Sequence, residues 1–402
     1  MRPFTSTISL DEARRRLDAA VSPISRTERV RLEDATGRVV AADVTSPIDV
    51  PPFARAAMDG YAVVAADTSA ATPTTPARLR QLDRIYTGRL SAAKVVAGTC
   101  AEIATGAPLP SGADAVVMVE ETAKRGQQDI DIFAPAKAGQ HIGRRGADIV
   151  TGDRVVASGD LLTPSRVGAL AAIGCSGVDV FARPRVAILS TGNEVVEPGE
   201  ALAPGQIFDV NRFTLGAVVS IHGGVAEPHR SAQDTVVALL ASLDACTDAD
   251  LIVFSGGSSV GERDLIVDAI AARGEMIFHG IAVRPGKPTA FAMMSGTPFF
   301  GMPGNPTSCL SNAYILLLPY LRATARLPPY QPHTVRVPLG RRIMSAANRH
   351  QFYTVRLRDG AAHPAFKGSG DITSLSQADG YIEIPADQDT VEEGALVDVT
   401  LF

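Results

Sequence analysis

The chain has 402 residues, of which 46% are hydrophobic and 20% charged, and its formal net charge is −5. This composition excludes a disordered chain, and the length exceeds one ordinary core, so about two to four domains are expected. A negative balance, no Trp and 5% aromatic residues argue against a general nucleic-acid binder, which needs many cations at phosphates and rings to stack on bases.

In chain order, residues 9–20 form the first predicted helix. Ser9 stands at the N-cap, Leu10, Ala13 and Leu17 share one face, and Arg14, Arg15 and Arg16 stay in water. Residues 30–48 alternate and read as short extended segments. From 49 to 147 turn residues recur every 8–12 positions (Pro51, Pro52, Pro73, Pro76, Gly88, Gly98, Gly106, Gly112), with β-prone runs such as 115–119 and 130–133 between them. That spacing predicts a small inserted β-barrel-like or sandwich domain. Residues 148–180 return to strands with a short helix near 164–173.

Past Arg183 the texture becomes α/β. Apolar runs at 186–189, 251–254 and 298–301 alternate with predicted helices at 212–221, 231–243, 264–272 and 306–325, and 276–283 reads as extended. Strands alternating with helices imply βαβ units, a mostly parallel sheet and a three-layer domain. The stretch from Pro332 has no helical period and reads as a small all-β domain.

Three glycine-rich loops follow those apolar runs: Ser190-Thr191-Gly192-Asn193-Glu194, the run from Ser255-Gly256-Gly257-Ser258 to Glu262, and Gly301-Met302-Pro303-Gly304-Asn305-Pro306. They therefore fall at the carboxyl edge of the sheet, where open α/β folds bind ligands. One Gly-Gly pair reads as a tight packing turn. Three such loops on one domain read as an anion cradle, because glycine allows close backbone approach and a helix start offers free N–H groups. No GxGxxG or GxxxxGK[ST] is present, so neither a dinucleotide nor a Walker site is expected. Lys287, in Arg284-Pro285-Gly286-Lys287-Pro288, reads either as a solvated turn lysine or as a rigidly placed cation. Asp59 precedes Gly60 and reads by default as a turn aspartate. Asp148, Glu194 and Asp264 are further carboxylates, the last two beside the loops, where Mg²⁺ and a phosphate could share them.

The cysteines (Cys100, Cys175, Cys246, Cys309) are far apart without a Cys-x-x-Cys pair. Neither zinc site nor disulfide framework is expected, and a reducing compartment is. The opening residues lack an apolar leader core, and no run approaches the ~18 uncharged apolar residues of a membrane span. A cytoplasmic protein without membrane or nucleic-acid partners is expected. The seven histidines show no metal-ligand spacing.

The runs FARAAMDGYAV (53–63), TGAPLPSGADAVV (105–117), STGNE (190–194), SGGSSVGERD (255–264), RPGKP (284–288) and GMPGNPTS (301–308) together resemble the molybdopterin molybdenumtransferase (MoeA) family, which includes the E-domain of gephyrin. They keep the family's order and spacing over nearly the whole chain. The resemblance implies a multidomain α/β plus β fold: a connecting and dimerisation domain (27–48 and 148–183), an inserted β-rich domain (49–147), a three-layer α/β molybdopterin-binding domain (1–26 and 184–330) and a C-terminal β-barrel domain (331–402). It implies a homodimer whose site combines the insert of one subunit with the α/β domain of the other. The implied reaction is Mg²⁺-dependent hydrolysis of adenylylated molybdopterin with insertion of molybdate and release of AMP. Other cofactor-biosynthesis proteins are potential partners.

By motif, the resemblance gives catalytic roles to Asp59, Thr105, Asp148, Glu194 and Asp264, with Glu194 and Asp264 also at the metal. It gives ligand contacts to Thr191, Gly192, Ser255, Gly256, Gly257, Ser258, Lys287, Pro303, Gly304 and Asn305. Arg356 and Ser369 are the nearest candidates for the oxyanion. The chain departs from the family pattern at Ala54-Arg55-Ala56, Asn193, Ser231 and Arg284. A scaffold of the same fold is the competing class, and retention of Asp59, Glu194, Asp264 and Lys287 favours the enzyme.

Overall fold

The computed structural model describes residues 7–229, 235–256, 265–345 and 348–402. The chain forms two compact units, one built from Met1–Glu28, Gly37–Val39 and Val180–Phe402, the other from Arg29–Thr36 and Val40–Asp179. Helix α1 (Leu10–Ala19) opens the first unit. Ser9 caps it by accepting the Glu12 N–H at 3.2 Å, and Leu10, Ala13 and Leu17 are buried.

The second unit holds a six-stranded sheet: β1 (Gly60–Val63), β2 (Ala77–Ile85), β3 (Thr99–Ile103), β4 (Ala115–Met118), β5 (Thr122–Arg125) and β6 (Asp129–Ile132), in the order β4-β1-β3-β2-β6-β5. Only β2 and β3 pair in parallel. Both faces are covered: Tyr61, Val63 and Val117 enter one cluster, Ala62, Ala101 and Val116 another. A strand buried on both sides has no polar face, which is why β4 reads as an unbroken apolar run. Helix α2 (Pro164–Ala172) follows, with Thr163 accepting the Arg166 N–H as its cap.

The first unit resumes with β7 (Arg185–Ser190), α3 (Asn211–Ile221), β8 (Val225–Pro228), α4 (Val236–Asp244), β9 (Leu251–Ser255), α5 (Leu265–Arg273), β10 (Gly274–His279), β11 (Val283–Arg284), β12 (Ala290–Met294) and β13 (Thr297–Met302). All but β11 of these strands make one sheet in the order β8-β7-β9-β13-β12-β10. The β8-β7-β9-β13 pairings are parallel, while β12 and β10 continue antiparallel. Side chains alternate between two cores. Val186, Ile188, Val253 and Phe300 pack with α1, α3 and the later helical segment; Ala187, Leu189, Phe254 and Phe299 pack with α4 and α5. The three-layer arrangement follows from that alternation.

Two expected helices differ in detail. The one read over 231–243 runs Val236–Asp244, capped by Thr235, and Ser231 lies outside the described residues. The long helix read over 306–325 is α6 (Pro306–Asn312), a π-helical stretch Ala313–Leu317, and α7 (Leu318–Thr324). Pro319 has no N–H to give the carbonyl four residues back, and the ladder changes register just ahead of it.

The main C-terminal strands are β14 (Thr334–Pro338), β15 (His350–Arg358), β16 (Ala361–Pro364), β17 (Gly380–Ile384) and β18 (Leu396–Leu401), interrupted by a short helix α8 (Thr373–Ser376) that an all-β reading missed; Ile343–Met344 and Thr390–Val391 pair separately. Their sheet runs β11-β15-β17-β18-β14, with β16 on β15. Because β11 belongs to this sheet, Val283 and Arg284 lie opposite His350 and Gln351.

Phe300 is fully buried, with its ring 4.9 Å from that of Phe291 and 5.3 Å from that of Tyr320. Phe300→Ala should cost roughly 3–5 kcal/mol, since a cavity adds to the lost transfer energy. Thermal unfolding should show a clearly lowered midpoint; an unchanged midpoint would contradict this packing.

Candidate functional site

The site starts from a register. In the first unit β7, β9 and β13 are parallel neighbours, with Ser190 opposite Ser255 and Ser255 opposite Met302. These are the last residues of their strands, so the three glycine-rich loops leave the sheet at one level. The Thr191 N–H donates to the Ser255 carbonyl at 3.1 Å, joining the first two loops. Gly256 has φ +110°, and a Cβ there would lie 2.5 Å from the Thr191 carbonyl oxygen, so only glycine crosses at this point. A Cβ at Gly304 would lie 3.6 Å from Gly256 Cα, which brings the third loop against the second. Gly257, Ser258 and Asp264 lie outside the described residues.

A buried polar network supports these loops. Ser190 Oγ donates to Asp209 Oδ2 at 2.7 Å, and Asp209 Oδ1 accepts the Arg212 N–H at 3.1 Å in the first turn of α3. The Arg212 guanidinium pairs with Glu197 and donates to the His229 carbonyl at 3.1 Å. Both Asp209 and Arg212 are buried, so each charge needs the other. Asn211 Nδ2 donates to the Gly304 carbonyl at 2.7 Å and ties α3 to the third loop.

The opposite wall comes from the C-terminal region, from Arg349 just before β15 and from the segment between β16 and α8. Asn305 Nδ2 donates to Ser369 Oγ at 3.1 Å, the Thr307 N–H to the Ser369 carbonyl at 3.1 Å, and Thr307 Oγ1 to the Asp371 carbonyl at 2.6 Å. Between the walls lies a cavity of about 1320 Å³. Of the candidate residues, Thr191, Gly192, Glu194, Ser255, Gly256, Lys287, Pro303, Gly304, Asn305 and Ser369 line it.

Arg284, Lys287, Arg349 and Lys367 line it too, against the carboxylates of Glu194 and Asp209. Arg212 lies beside Asp209, and among the described lining residues the cations outnumber the carboxylates, which suits an anion. Among the described residues no group of three metal-ligating side chains occurs, and Glu194 stands exposed on the cavity wall. One carboxylate fits a Mg²⁺ that takes its remaining ligands from phosphate and water.

Arg356 does not line this cavity. It lies seven positions along an extended strand from Arg349, about 23 Å at ~3.3 Å per residue, and its guanidinium is spent on Gln377. The basic residues at this wall are Arg349 and Lys367 instead. Sequence reading missed Arg349 because no motif marks it; only the pairing of β11 with β15 brings it beside the 284–288 turn. It also missed Asp209 and Asn211, although an acidic residue and an amide at a helix start were a readable cap signal.

In the second unit Asp59 and Thr105 meet: the Thr105 N–H donates to Asp59 Oδ1 at 2.7 Å. That hydrogen bond, with one from the Thr105 side chain, holds the Asp59 carboxyl below its ordinary pKa. Both residues are exposed, as is Asp148, whose N–H donates to the Val50 carbonyl at 2.9 Å. The four cysteines are free thiols. Burial pushes Cys100 up to about 12 and Cys246 up to about 11, and it raises Cys309 as well, so these three are not ready nucleophiles.

The chain also matches known proteins. Residues 8–174 match the MoeA N-terminal region (domain I and II), 187–323 a probable molybdopterin binding domain, and 336–402 the MoeA C-terminal region (domain IV). The chain is 37% identical over 395 residues to molybdopterin molybdenumtransferase 2 of Mycobacterium tuberculosis, covering 96% of this chain and 97% of that one. It is 30% identical over 403 residues to the molybdopterin molybdenumtransferase of Haemophilus influenzae, covering 98% of each. A crystal structure of a molybdopterin biosynthesis MoeA protein from Pyrococcus horikoshii superposes with a TM-score of 0.85 at 39% identity, over 98% of this chain and 99% of that one.

Thr105→Val removes the hydroxyl and leaves the main-chain N–H. The Asp59 pKa, followed by NMR titration, should rise toward its ordinary value without reaching it. A pKa that does not move would show that the hydroxyl gives Asp59 nothing.

Proposed function

The chain belongs to the molybdopterin molybdenumtransferase (MoeA) family, enzymes of molybdenum cofactor biosynthesis, and we propose that it hydrolyses adenylylated molybdopterin and inserts molybdate, releasing AMP and the molybdenum cofactor. The observation that supports this most is the convergence of three strand-end loops opposite Arg284, Lys287, Arg349 and Lys367 in one cavity. A phosphoanhydride and an oxyanion both need fixed positive charge where their own negative charge concentrates.

In this reading the backbone around Gly192, Gly256 and Gly304 lets the ligand approach closely, with Thr191, Ser255 and Asn305 as hydrogen-bonding groups and Pro303 beside them; Gly257 and Ser258, which lie outside the described residues, join the ligand set by motif. Lys287 offsets phosphate charge. Arg349, Lys367 and Ser369 receive molybdate, a substrate. Water attacks the adenylate phosphorus, the P–O bond to the molybdopterin phosphate breaks, that phosphate leaves on molybdopterin, and the attacked phosphorus, with the water's oxygen, becomes AMP; the dithiol sulfurs then replace two oxygens of molybdate, which depart as water with the thiol protons. Glu194, with Asp264, would hold Mg²⁺, which when bound offsets charge developing on the leaving oxygen. Asp59, kept ionised by Thr105, orients the water, and Asp148 adds a further carboxylate nearby.

Asp59, Thr105 and Asp148 belong to the second unit and would serve the cavity of a second copy, so the working form is a homodimer. Exposed apolar side chains support this: Phe53 and Met58 near Asp59, and Ile207 and Phe208 at the cavity. The four-domain division at 27–48 and 148–183, 49–147, 1–26 and 184–330, and 331–402 belongs to the same reading, with the inserted and C-terminal domains barrel-like. So does a cytoplasmic location; no helix among the described residues is long and apolar enough to cross a membrane.

Purified protein given adenylylated molybdopterin, molybdate and Mg²⁺ should release AMP and yield active cofactor. A folded protein that releases no AMP would sink the proposal. Asp59→Ala and Lys287→Ala should each lower turnover by at least about 100-fold, in line with removal of one positioned catalytic group. Co-expressed, the two variants should regain substantial activity, because a mixed dimer rebuilds one intact site. Absence of complementation would mean that each site is complete within one chain.

A further inference from the structure

We propose that Asn312 is a positioning residue that sets where the 284–288 turn presents its cations to the anionic ligand; this rests on the reading of Lys287 given above. Asn312 is the last residue of α6, immediately before the π-helical stretch Ala313–Leu317, and it is fully buried. Its Nδ2 donates to the Gly286 carbonyl at 2.9 Å and also reaches Thr289 Oγ1. Thr289 Oγ1 donates in turn to the same Gly286 carbonyl at 2.9 Å. The carbonyl between Arg284 and Lys287 is therefore gripped twice, from the helix and from the turn's own end.

The contact is shaped for one residue on each side. Gly286 has φ +103°, and a Cβ there would overlap the Asn312 amide, so the amide lies against bare backbone. A π-turn inserts one residue into the helical ladder and re-aims the side chains around it; such turns gather at functional sites. Asn312 Oδ1 finds no hydrogen-bond partner among the described residues. A buried amide with an unsatisfied acceptor is costly, and an apolar residue would pack there more cheaply. What the amide supplies, and an apolar residue cannot, is a directional hold on the turn.

The turn is anchored elsewhere as well. The Ile281 N–H donates to the Lys287 carbonyl at 2.9 Å, the Gly280 N–H to the Thr289 carbonyl at 2.9 Å, and β11 pairs with β15. Removing Asn312 should thus shift the turn without unfolding it.

Two readouts separate a positioning role from a structural one. The first needs no ligand: hydrogen–deuterium exchange across residues 280–290 should speed up in Asn312→Ala while exchange in β7 and β9 stays as in the parent. The second is a double-mutant cycle on AMP binding by titration calorimetry. Asn312→Ala should weaken AMP about tenfold in the parent and less than about twofold when Lys287 is already alanine, because residues acting through one another are not additive. Equal losses in both backgrounds, or unchanged exchange across the turn, would overturn the role of Asn312. A parent protein that binds no AMP, with the exchange result as expected, would remove the functional reading and leave the hold on the turn standing. If Asn312→Ala does not fold, Thr289→Ala, which removes the second grip, carries the same tests with the same expected directions.

Discussion

The candidate site depends on one constraint of register. Ser190, Ser255 and Met302 end three adjacent parallel strands opposite one another, so Thr191, Gly256 and Pro303, the residues that follow, leave the sheet at one edge. Parallel pairing at the centre of the sheet is what puts three chain reversals at the same edge; a hairpin sheet would have sent alternate loops to opposite ends. The later antiparallel strands β12 and β10 extend the sheet without disturbing that edge. Two hydrogen bonds then fix these loops, one from the Thr191 N–H to the Ser255 carbonyl and one from the Asn211 side-chain amide to the Gly304 carbonyl.

Charge decides what such a convergence can hold. The buried Asp209 would make the cavity floor negative, but Arg212 lies beside it and pairs with Glu197 as well. A buried pair of this kind is weak evidence for stability, yet it leaves the side facing the ligand to Arg284, Lys287, Arg349 and Lys367. Among the described lining residues, Glu194 is the exposed carboxylate.

Much of this was legible in the sequence wherever a local rule applied. Ser9 as a cap and Leu10, Ala13 and Leu17 as a face gave α1 nearly to the residue. Short apolar runs ending in Ser-Thr-Gly and Ser-Gly-Gly marked β7 and β9 and placed their loops at the sheet edge. What stayed hidden depends on distant pairing. Arg349 reaches the cavity because β11 joins a sheet whose other strands begin some fifty residues later (334 against 284). Arg356 looked closer to the part by its place before Lys367 and Ser369, but strand geometry carries it away from that wall. The π-helical stretch inside an apolar helix leaves no mark in hydrophobic periodicity, since residues on every side of it are buried.

The central claim is that the three strand ends and the basic wall hold the phosphate of one ligand. A crystal structure of the protein with AMP bound tests it most directly. The account predicts the phosphate between the loops after Ser190, Ser255 and Met302, within reach of Lys287. A phosphate bound away from those loops, with the cavity holding none, would contradict it.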